Sequence, residues 1–250
     1  MLRAIEECFT CYLIGEAPQA LNSRISKPLL FLRHDVDIDP NKAMKMAEIE
    51  NEFGIRSTYM FMVNSQLYSL ESSSVRSVLD RLISMGHEIA LHFDFGIHHG
   101  SGSKAAIASL ESEVASDCNR LEAVTNTPVR SISFHRPLRE FLGGPLHVAG
   151  RVNSYARELM ARYLSDSRGT WREGEPLPKL LKPDAAVLQL LIHPIWWGDR
   201  HMSAEERLEA FFQAAVHGLS AQQTRAFDDS LGGTLGIRRS GSKSQEANHA

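Results

Sequence analysis

The apolar residues of this chain fall into short runs separated by longer segments in which apolar and polar positions alternate with helical spacing. The run at residues 29–32 contains only apolar side chains, which is typical of a strand buried on both faces of a parallel sheet. Strands are predicted at residues 29–32, 57–63, 88–92, 129–134, 162–164 and 187–192. We also considered a seventh strand within residues 138–150.

Helical patterns lie between these runs. Asp39 and Pro40 provide a cap residue and a proline at the first helical position, and Gly54 ends that helix. Further helices are predicted to end near Gly86 and to cover residues 105–124, 154–160 and 203–223. The alternation of strands and helices favours an α/β protein with six or seven parallel strands and helical crossovers.

The chain contains 250 residues, and its first 225 or so contain no linker rich in proline, glycine or serine. We therefore expect one domain over residues 29–226, preceded by an N-terminal extension at residues 1–28. Glycine, serine, arginine and lysine predominate after Asp228, which predicts a disordered tail at residues 227–250.

The amino-acid composition limits the kinds of binding partner and the cellular compartment that we expect for this protein. A formal charge of −3 and a pI near 6.4 leave no basic footprint for nucleic acid. Three cysteines in no paired pattern suit a reducing compartment. Since no segment has the length of a signal peptide's apolar region or of a membrane span, the expected location is the cytoplasm. The expected partner is a small molecule or a glycan; the sequence does not indicate an oligomeric state.

Polar residues with catalytic potential stand where the predicted strands end. They are Asp35 and Asp37 after the first strand, His92 and Asp94 at the third, His135 and Arg136 at the fourth, Asp166 at the fifth and His193 at the last. The carboxyl ends of parallel strands meet on one face of such a fold, where ligands bind. These residues are therefore predicted to form one site.

Asp35 and Asp37 are two residues apart, so an extended backbone places both side chains on one side. Two carboxylates at that spacing are difficult to ionise together unless a cation lies between them. One carboxylate together with imidazole ligands such as His92 suits zinc, which activates water and polarises carbonyl groups. By the same alternation, His34 is expected to point away from the site.

The ordered motifs resemble those of the polysaccharide deacetylases of the NodB-homology group, carbohydrate esterase family four. The resemblance extends from about residue 29 to residue 197. It rests on Arg33-His34-Asp35-Val36-Asp37, residues 86–92 (Gly-His-Glu-Ile-Ala-Leu-His), Phe134-His135-Arg136-Pro137, Asp166 with Trp171, and residues 190–194 (Leu-Leu-Ile-His-Pro).

This resemblance implies a distorted (β/α) barrel that uses a divalent metal to remove an acetyl group from an N-acetylated sugar. By position, Asp35 corresponds to the general base, Asp37 and His92 to metal ligands, and His193 to the general acid. Arg136 corresponds to the arginine that orients the base. Asp166 and Trp171 correspond to the pair that positions the acid and walls the acetyl pocket. Because Val36 separates two aspartates that are normally adjacent, the roles of Asp35 and Asp37 could be exchanged.

One metal ligand of the family pattern is missing. The family's second metal-binding histidine lies four residues after the first, and Gly96 occupies that position here. The candidate replacements are His135, His98, His99 and Asp94, and we favour His135 because residues at strand ends are better fixed than residues in loops. Trp196 could stack on a sugar ring, and so could Trp197, although core packing explains both equally well.

The sequence therefore predicts a metal-dependent hydrolase, with zinc as the expected ion, that releases acetate from an N-acetylated sugar or a glycan precursor. Two alternatives stay open. The same scaffold could hydrolyse another non-peptide carbon–nitrogen bond, such as one in a cyclic amide or a ureide. A homologue that has lost a ligand could bind carbohydrate without catalysis.

Overall fold

The computed structural model describes residues 1–24, 26–96, 104–137 and 139–215. In these ranges the strands β1 to β9 are Thr10–Tyr12, Leu29–Val36, Thr58–Phe61, Glu88–Asp94, Ser131–His135, His147–Val148, Arg151–Asn153, Tyr163–Ser165 and Val187–Ile192. The α-helices α1 to α7 are Leu2–Cys8, Ala17–Leu21, Pro40–Glu52, Ser73–Ser84, Lys104–Thr125, Pro176–Leu181 and Ala204–Ala215.

The nine strands of the described residues form one sheet. Its order is β6-β7-β5-β4-β3-β2-β9-β8, and β1 pairs with the first half of β2. Every pairing between these strands is parallel except that of β6 with β7. The predicted parallel sheet with helical crossovers is therefore confirmed.

The sheet is curled into a partial barrel. Strands β7 and β9 are five places apart in the sheet, which would separate them by about 24 Å if the sheet were flat. Instead, the amide of Gln189 on β9 donates hydrogen bonds to the carbonyls of Ser154 (2.8 Å) and Leu159 (3.2 Å), which follow β7. The end strands β6 and β8 are not paired with each other, so the barrel is open on that side.

Two local predictions are corrected. Residues 154–160 form consecutive turns and no helix. The carbonyls of Ser154 and Leu159 accept from Gln189, and these turns allow the phenol of Tyr155 to reach Arg33 inside the barrel. Within residues 138–150, the strand that forms is β6, which is antiparallel; the additional parallel strand, β7, comes directly afterwards.

Residues near the N-terminus close one end of the barrel. A short 3-10 helix, Ile14–Glu16, precedes α2, and both Ile14 and Ala17 are wholly buried. The backbone N–H of Ile14 donates to Thr58 Oγ1 at 2.9 Å, and that of Gly15 donates to Glu88 Oε2 at 3.0 Å. Because Thr58 and Glu88 begin their strands, this segment lies at the end of the barrel opposite the strand termini that carry the catalytic candidates.

A buried polar network fastens α3 to the outside of the sheet. His34 Nε2 lies 2.7 Å from Glu50 Oε1, while Ser57 Oγ and Tyr59 Oη donate to Glu50 Oε2 at 2.6 and 2.9 Å. Burial alone would raise the pKa of Glu50, but His34 and these hydrogen bonds hold it below its ordinary value. The prediction that His34 points away from the site is confirmed, because strand alternation sends it to this outer face.

None of the helices in the described ranges has both the length and the apolar character required to cross a membrane. The last predicted helix is present as Ala204–Ala215. The remainder of that predicted helix and the predicted tail at residues 227–250 lie outside the described residues.

Gly15→Ala tests how tightly the N-terminal segment fits the barrel. A Cβ at this position would lie 2.7 Å from Arg130 Cβ and 2.5 Å from Glu88 Oε1, which is itself bonded to Ser131. We expect the free energy of unfolding to fall by about 1–3 kcal/mol, measured by urea denaturation. Gly144→Ala is the matched control, because its Cβ would meet no atom closer than 3.4 Å. Equal losses in the two variants would contradict the close fit.

Candidate active site

Three metal-binding side chains meet at the carboxyl ends of the parallel strands. Asp37 follows β2, His92 lies on β4 and His135 ends β5. Asp37 Oδ1 is 3.1 Å from His92 Nε2 and 3.5 Å from His135 Nδ1, and these two nitrogens are 3.3 Å apart. Tetrahedral ligands at ordinary zinc distances are about 3.3 Å apart. The three donor atoms are therefore spaced as ligands of one small cation would be.

The surroundings of these donors also suit a cation. Asp37 Oδ1 is buried and accepts no hydrogen bond from a described residue; it faces the two imidazole nitrogens, which are themselves metal-binding atoms. His92 Nδ1 lies 2.6 Å from Ser133 Oγ, a contact that leaves Nε2 to face Asp37 and His135. Such a second hydrogen bond is the usual way in which a metal-binding histidine is oriented. The residues present therefore fit a divalent metal ion.

Asp35 is held beside this cluster by an arginine from its own strand. Arg33 donates from Nε to Asp35 Oδ1 at 2.8 Å and from Nη2 to Asp35 Oδ2 at 2.6 Å. Tyr155 and Gln189 contact the same guanidinium, which is completely buried. Burial alone would raise the pKa of Asp35, but Arg33, together with His92, holds it below its ordinary value.

Arg136 does not contact Asp35. Its side chain is 53% exposed, and its Nη2 lies 3.3 Å from Asp94 Oδ2. Arg136 has a φ of 49°, and this left-handed turn directly follows His135, the residue that points into the cluster. Asp35 is contacted instead by Arg33, which alternation along β2 places on the same face of the strand.

The structure narrows the candidates for the missing ligand. Asp94 Oδ1 accepts from the backbone N–H of Gly96 at 2.8 Å and Oδ2 faces Arg136, so this carboxylate is satisfied outside the cluster. His135 is the candidate that the structure brings to Asp37 and His92. His98 and His99 lie outside the described residues.

His193 enters the same site from the end of β9. Its Nδ1 lies 2.7 Å from Asp166 Oδ1, which also accepts from the His193 backbone N–H at 2.9 Å, and its Nε2 is 4.0 Å from Asp37 Oδ2. Burial opposes protonation of this imidazole, but the hydrogen bond to Asp166 and the surrounding carboxylates raise the pKa of His193 to about 9. A proton on Nε2 would therefore face the cluster at neutral pH.

Trp197 rather than Trp196 contacts these residues. The indole N–H of Trp197 donates to Asp166 Oδ2 at 2.7 Å, and its ring centroid lies 6.4 Å from that of Trp171. Trp196 instead packs against Ile38, Ile195 and Leu208, because the 3-10 turn Pro194–Trp196 directs it beneath α7. Trp197 is 36% exposed, whereas Trp196, the residue expected to contact substrate, packs into this apolar cluster.

Sequence reasoning missed the contacts of Arg33 and Ser133; for Trp197 it considered stacking on a sugar ring but not the hydrogen bond to Asp166. Signals for the first two existed in strand alternation: Arg33 is two residues before Asp35, and Ser133 two before His135. The prediction ended the first strand at Leu32, whereas β2 continues to Val36, so Arg33 was not placed in a strand. No comparable signal in the sequence predicts that the indole N–H of Trp197 contacts Asp166.

No family model and no curated protein matches the chain. Among solved structures, a chitin deacetylase from Colletotrichum lindemuthianum is 15% identical, with a TM-score of 0.43, 92% of this chain covered and 93% of that chain. The Streptococcus pyogenes deacetylase PplD, in complex with acetate, is 15% identical, with a TM-score of 0.44 and coverages of 84% and 83%. A Bacillus anthracis protein described as a CE4 family pseudoenzyme is 13% identical, with a TM-score of 0.41; the match covers 79% of this chain and 64% of that chain.

Arg33→Met tests the buried ion pair. Removing one partner leaves the Asp35 carboxylate buried without its counter-ion, so the free energy of unfolding should fall by about 3–5 kcal/mol in urea denaturation. Arg76→Met, at an exposed position on α4, should change it by less than about 0.5 kcal/mol. The double variant Arg33→Met/Asp35→Leu should recover part of the loss. An Arg33→Met protein as stable as Arg76→Met would contradict this role of the ion pair.

Metal binding can be measured without reference to activity. After treatment with a chelator, the wild-type chain should bind about one Zn²⁺ in calorimetric titration, while His92→Ala and His135→Ala should bind almost none. Asp35→Asn should keep the site because Asp35 is not among its three donors. His147→Ala is the control for histidine loss, since His147 is exposed on β6. Undiminished binding by His135→Ala would refute its assignment as a ligand.

Proposed function

We propose that this protein is a metal-dependent deacetylase that hydrolyses the acetamide group of an N-acetylated sugar. The observation that carries the proposal is the meeting of three kinds of group at one end of the barrel. They are the Asp37, His92 and His135 donors, an Asp35 carboxylate fixed by Arg33, and the His193–Asp166 pair. Hydrolysis of an amide requires activation of the carbonyl, a base for water and an acid for the departing amine.

Asp37, His92 and His135 would hold the divalent ion. The ion would polarise the acetamide carbonyl and lower the pKa of water, as zinc does in hydrolases. Ser133 would keep the His92 ring in the orientation that directs Nε2 to the donor cluster. We propose zinc because one carboxylate and two imidazoles form a donor set of the kind found in catalytic zinc sites.

Asp35 would accept a proton from the attacking water. Its Oδ2 lies 3.7 Å from His92 Nε2, so the carboxylate borders the donor cluster without belonging to it. Arg33 binds both oxygens, which prevents the side chain from rotating and keeps it ionised. Each carboxylate oxygen retains a further lone pair for the proton.

His193 would protonate the leaving nitrogen. As the water oxygen bonds to the acetyl carbon and the carbon–nitrogen bond breaks, the amine nitrogen takes the proton from His193 Nε2. The products are acetate and the free amino sugar, and the proton left on Asp35 returns His193 to its charged form. Asp166 fixes the ring from the opposite nitrogen, and Trp197 in turn fixes Asp166.

The complete donor set favours catalysis over the alternative of an inactive carbohydrate-binding homologue. Trp197 contacts Asp166 and lies beside Trp171, and the two rings would form an aromatic wall for an acetyl group or a sugar ring. The same catalytic groups would also hydrolyse another amide or a ureide. The product released must therefore be identified to establish the substrate.

The test is acetate release from N-acetylglucosamine and its short oligomers by the Zn²⁺-loaded chain. His193→Gln should lower kcat by about 10²–10⁴-fold, because a general acid contributes that much, and Asp35→Asn should have an effect of similar size without loss of Zn²⁺. Arg136→Met, which removes no hydrogen bond or ion pair to Asp35, is the control and should retain most of the activity.

Parallel assays with allantoin and other ureides distinguish the alternative hydrolase. Ring opening without acetate release from any N-acetylated sugar would overturn the deacetylase proposal while leaving the metal site intact. Zn²⁺ binding with no hydrolysis of either class would favour the carbohydrate-binding alternative.

A further inference from the structure

A cavity of about 640 Å³ lies on the outside of the barrel. It is bounded by residues 1–3, by one face of α3 and by residues 192–199 after β9, and we refer to it as the outer cavity. None of the proposed metal ligands, nor Asp35 or His193, lines it. Its volume is in the range typical of small-molecule sites.

The floor of the outer cavity is apolar. Met46 and Ile49 lie on α3 and Phe53 directly follows it, and Ile192 and Pro194 continue the surface from the sheet side. Ile49 is 51% exposed although it lies on this apolar face. An aliphatic or aromatic group entering the cavity would therefore remove apolar surface from water.

The rim of the outer cavity is cationic. Arg3, Lys42 and Lys45 line it, and a further cation, Arg207 of α7, lies directly behind Gly198. A Cβ on Gly198 would be 2.8 Å from Arg207 Nη1 and 3.4 Å from Lys42 Nζ, so both cations adjoin the same glycine. Because Gly198 has no side chain, the space between Lys42 and Arg207 is not filled at this position.

Arg207 is buried without an anionic partner among the described residues. It is 9% exposed, its Nη2 donates to the carbonyl of Arg200 at 2.6 Å, and its Nε has no hydrogen-bond partner. Lys42 likewise forms no ion pair with any residue in the described ranges. A buried guanidinium without a counter-ion is costly, so an anion bound here would be strongly favoured.

The acidic groups that line the outer cavity are fewer than its cations. They are Glu50 and Asp199. The carboxylate of Glu50 is already bonded to His34, Ser57 and Tyr59, which leaves Asp199 to face the cationic rim. The cavity therefore combines an apolar floor with an excess of positive charge at one end.

We propose that the outer cavity binds an amphipathic organic anion, with its apolar body on α3 and its phosphate or carboxylate beside Lys42 and Arg207. Trp197 links this cavity to the candidate active site, because its side chain lines the cavity while its N–H holds Asp166. Occupancy would therefore change the surroundings of Trp197 and bias the position of the His193–Asp166 pair.

The test uses decyl phosphate below its micellar concentration, titrated calorimetrically and by tryptophan fluorescence. We expect one molecule to bind per chain with a change in fluorescence. Decyltrimethylammonium and inorganic phosphate, which lack the anion and the apolar body respectively, should each bind at least about tenfold more weakly. Equal binding of the cationic probe or of inorganic phosphate would overturn the proposal.

Two variants locate the site. Lys42→Glu and Ile49→Asp should each weaken decyl phosphate binding by about tenfold or more, the first by reversing a rim charge and the second by making the floor polar. Arg76→Glu, an equal charge reversal at an exposed position on α4, should leave binding unchanged. Equal affinity in wild type, Lys42→Glu and Ile49→Asp would overturn the assignment. Because binding is measured without substrate, the result does not depend on the proposed deacetylase activity.

Discussion

The guanidinium of Arg33 lies wholly inside the barrel, where its two hydrogen bonds to Asp35 compensate the loss of water by both charges. A buried arginine or carboxylate alone would be strongly destabilising, so each group makes the other possible. The ion pair also connects separate parts of the barrel, because Tyr155 after β7 and Gln189 on β9 both contact Arg33. The contacts of Arg33 therefore hold Asp35 in position and also join the two sides of the curled sheet.

Several carboxylates coexist at this end of the barrel because each of them has its own cationic or imidazole partner. Asp35 is balanced by Arg33, Asp166 contacts His193, and Asp37 faces two imidazoles. Burial would otherwise raise the pKa of Asp37, but His135 and His92 hold it well below its ordinary value. Asp37 is thus the carboxylate whose buried oxygen has no hydrogen-bond partner, which distinguishes its proposed role as a ligand from that of Asp35.

Strand β2 connects this site to the outside of the barrel. Arg33 and Asp35 point inward, while His34 between them points outward to Glu50 of α3. Because Glu50 also borders the outer cavity, the helix that lines that cavity is fixed to the strand that carries the proposed base. Trp197 provides the second connection through its hydrogen bond to Asp166. The two parts of the outer cavity, α3 and Trp197, are therefore each connected to a catalytic candidate.

The sequence by itself determined the parallel α/β sheet, the end of the sheet that carries the site, and the outward direction of His34. These follow from local apolar runs and from the two-residue repeat of a strand, which depend on neighbouring residues only. It also identified Asp35, Asp37, His92, His135, Asp166 and His193 as candidates, all of which the structure brings to one barrel end.

Only the tertiary structure decided which side chains meet. Asp35 contacts Arg33 and not Arg136, because β2 continues through Val36 while the chain turns away after His135. The turns at residues 154–160 replace a predicted helix because their carbonyls accept from Gln189, a partner about 30 residues away in the chain. Trp197 and Arg207 likewise acquire their surroundings from elements that local patterns do not bring together. A pattern along the chain fixes the face on which a side chain lies, whereas its partner depends on how distant segments pack.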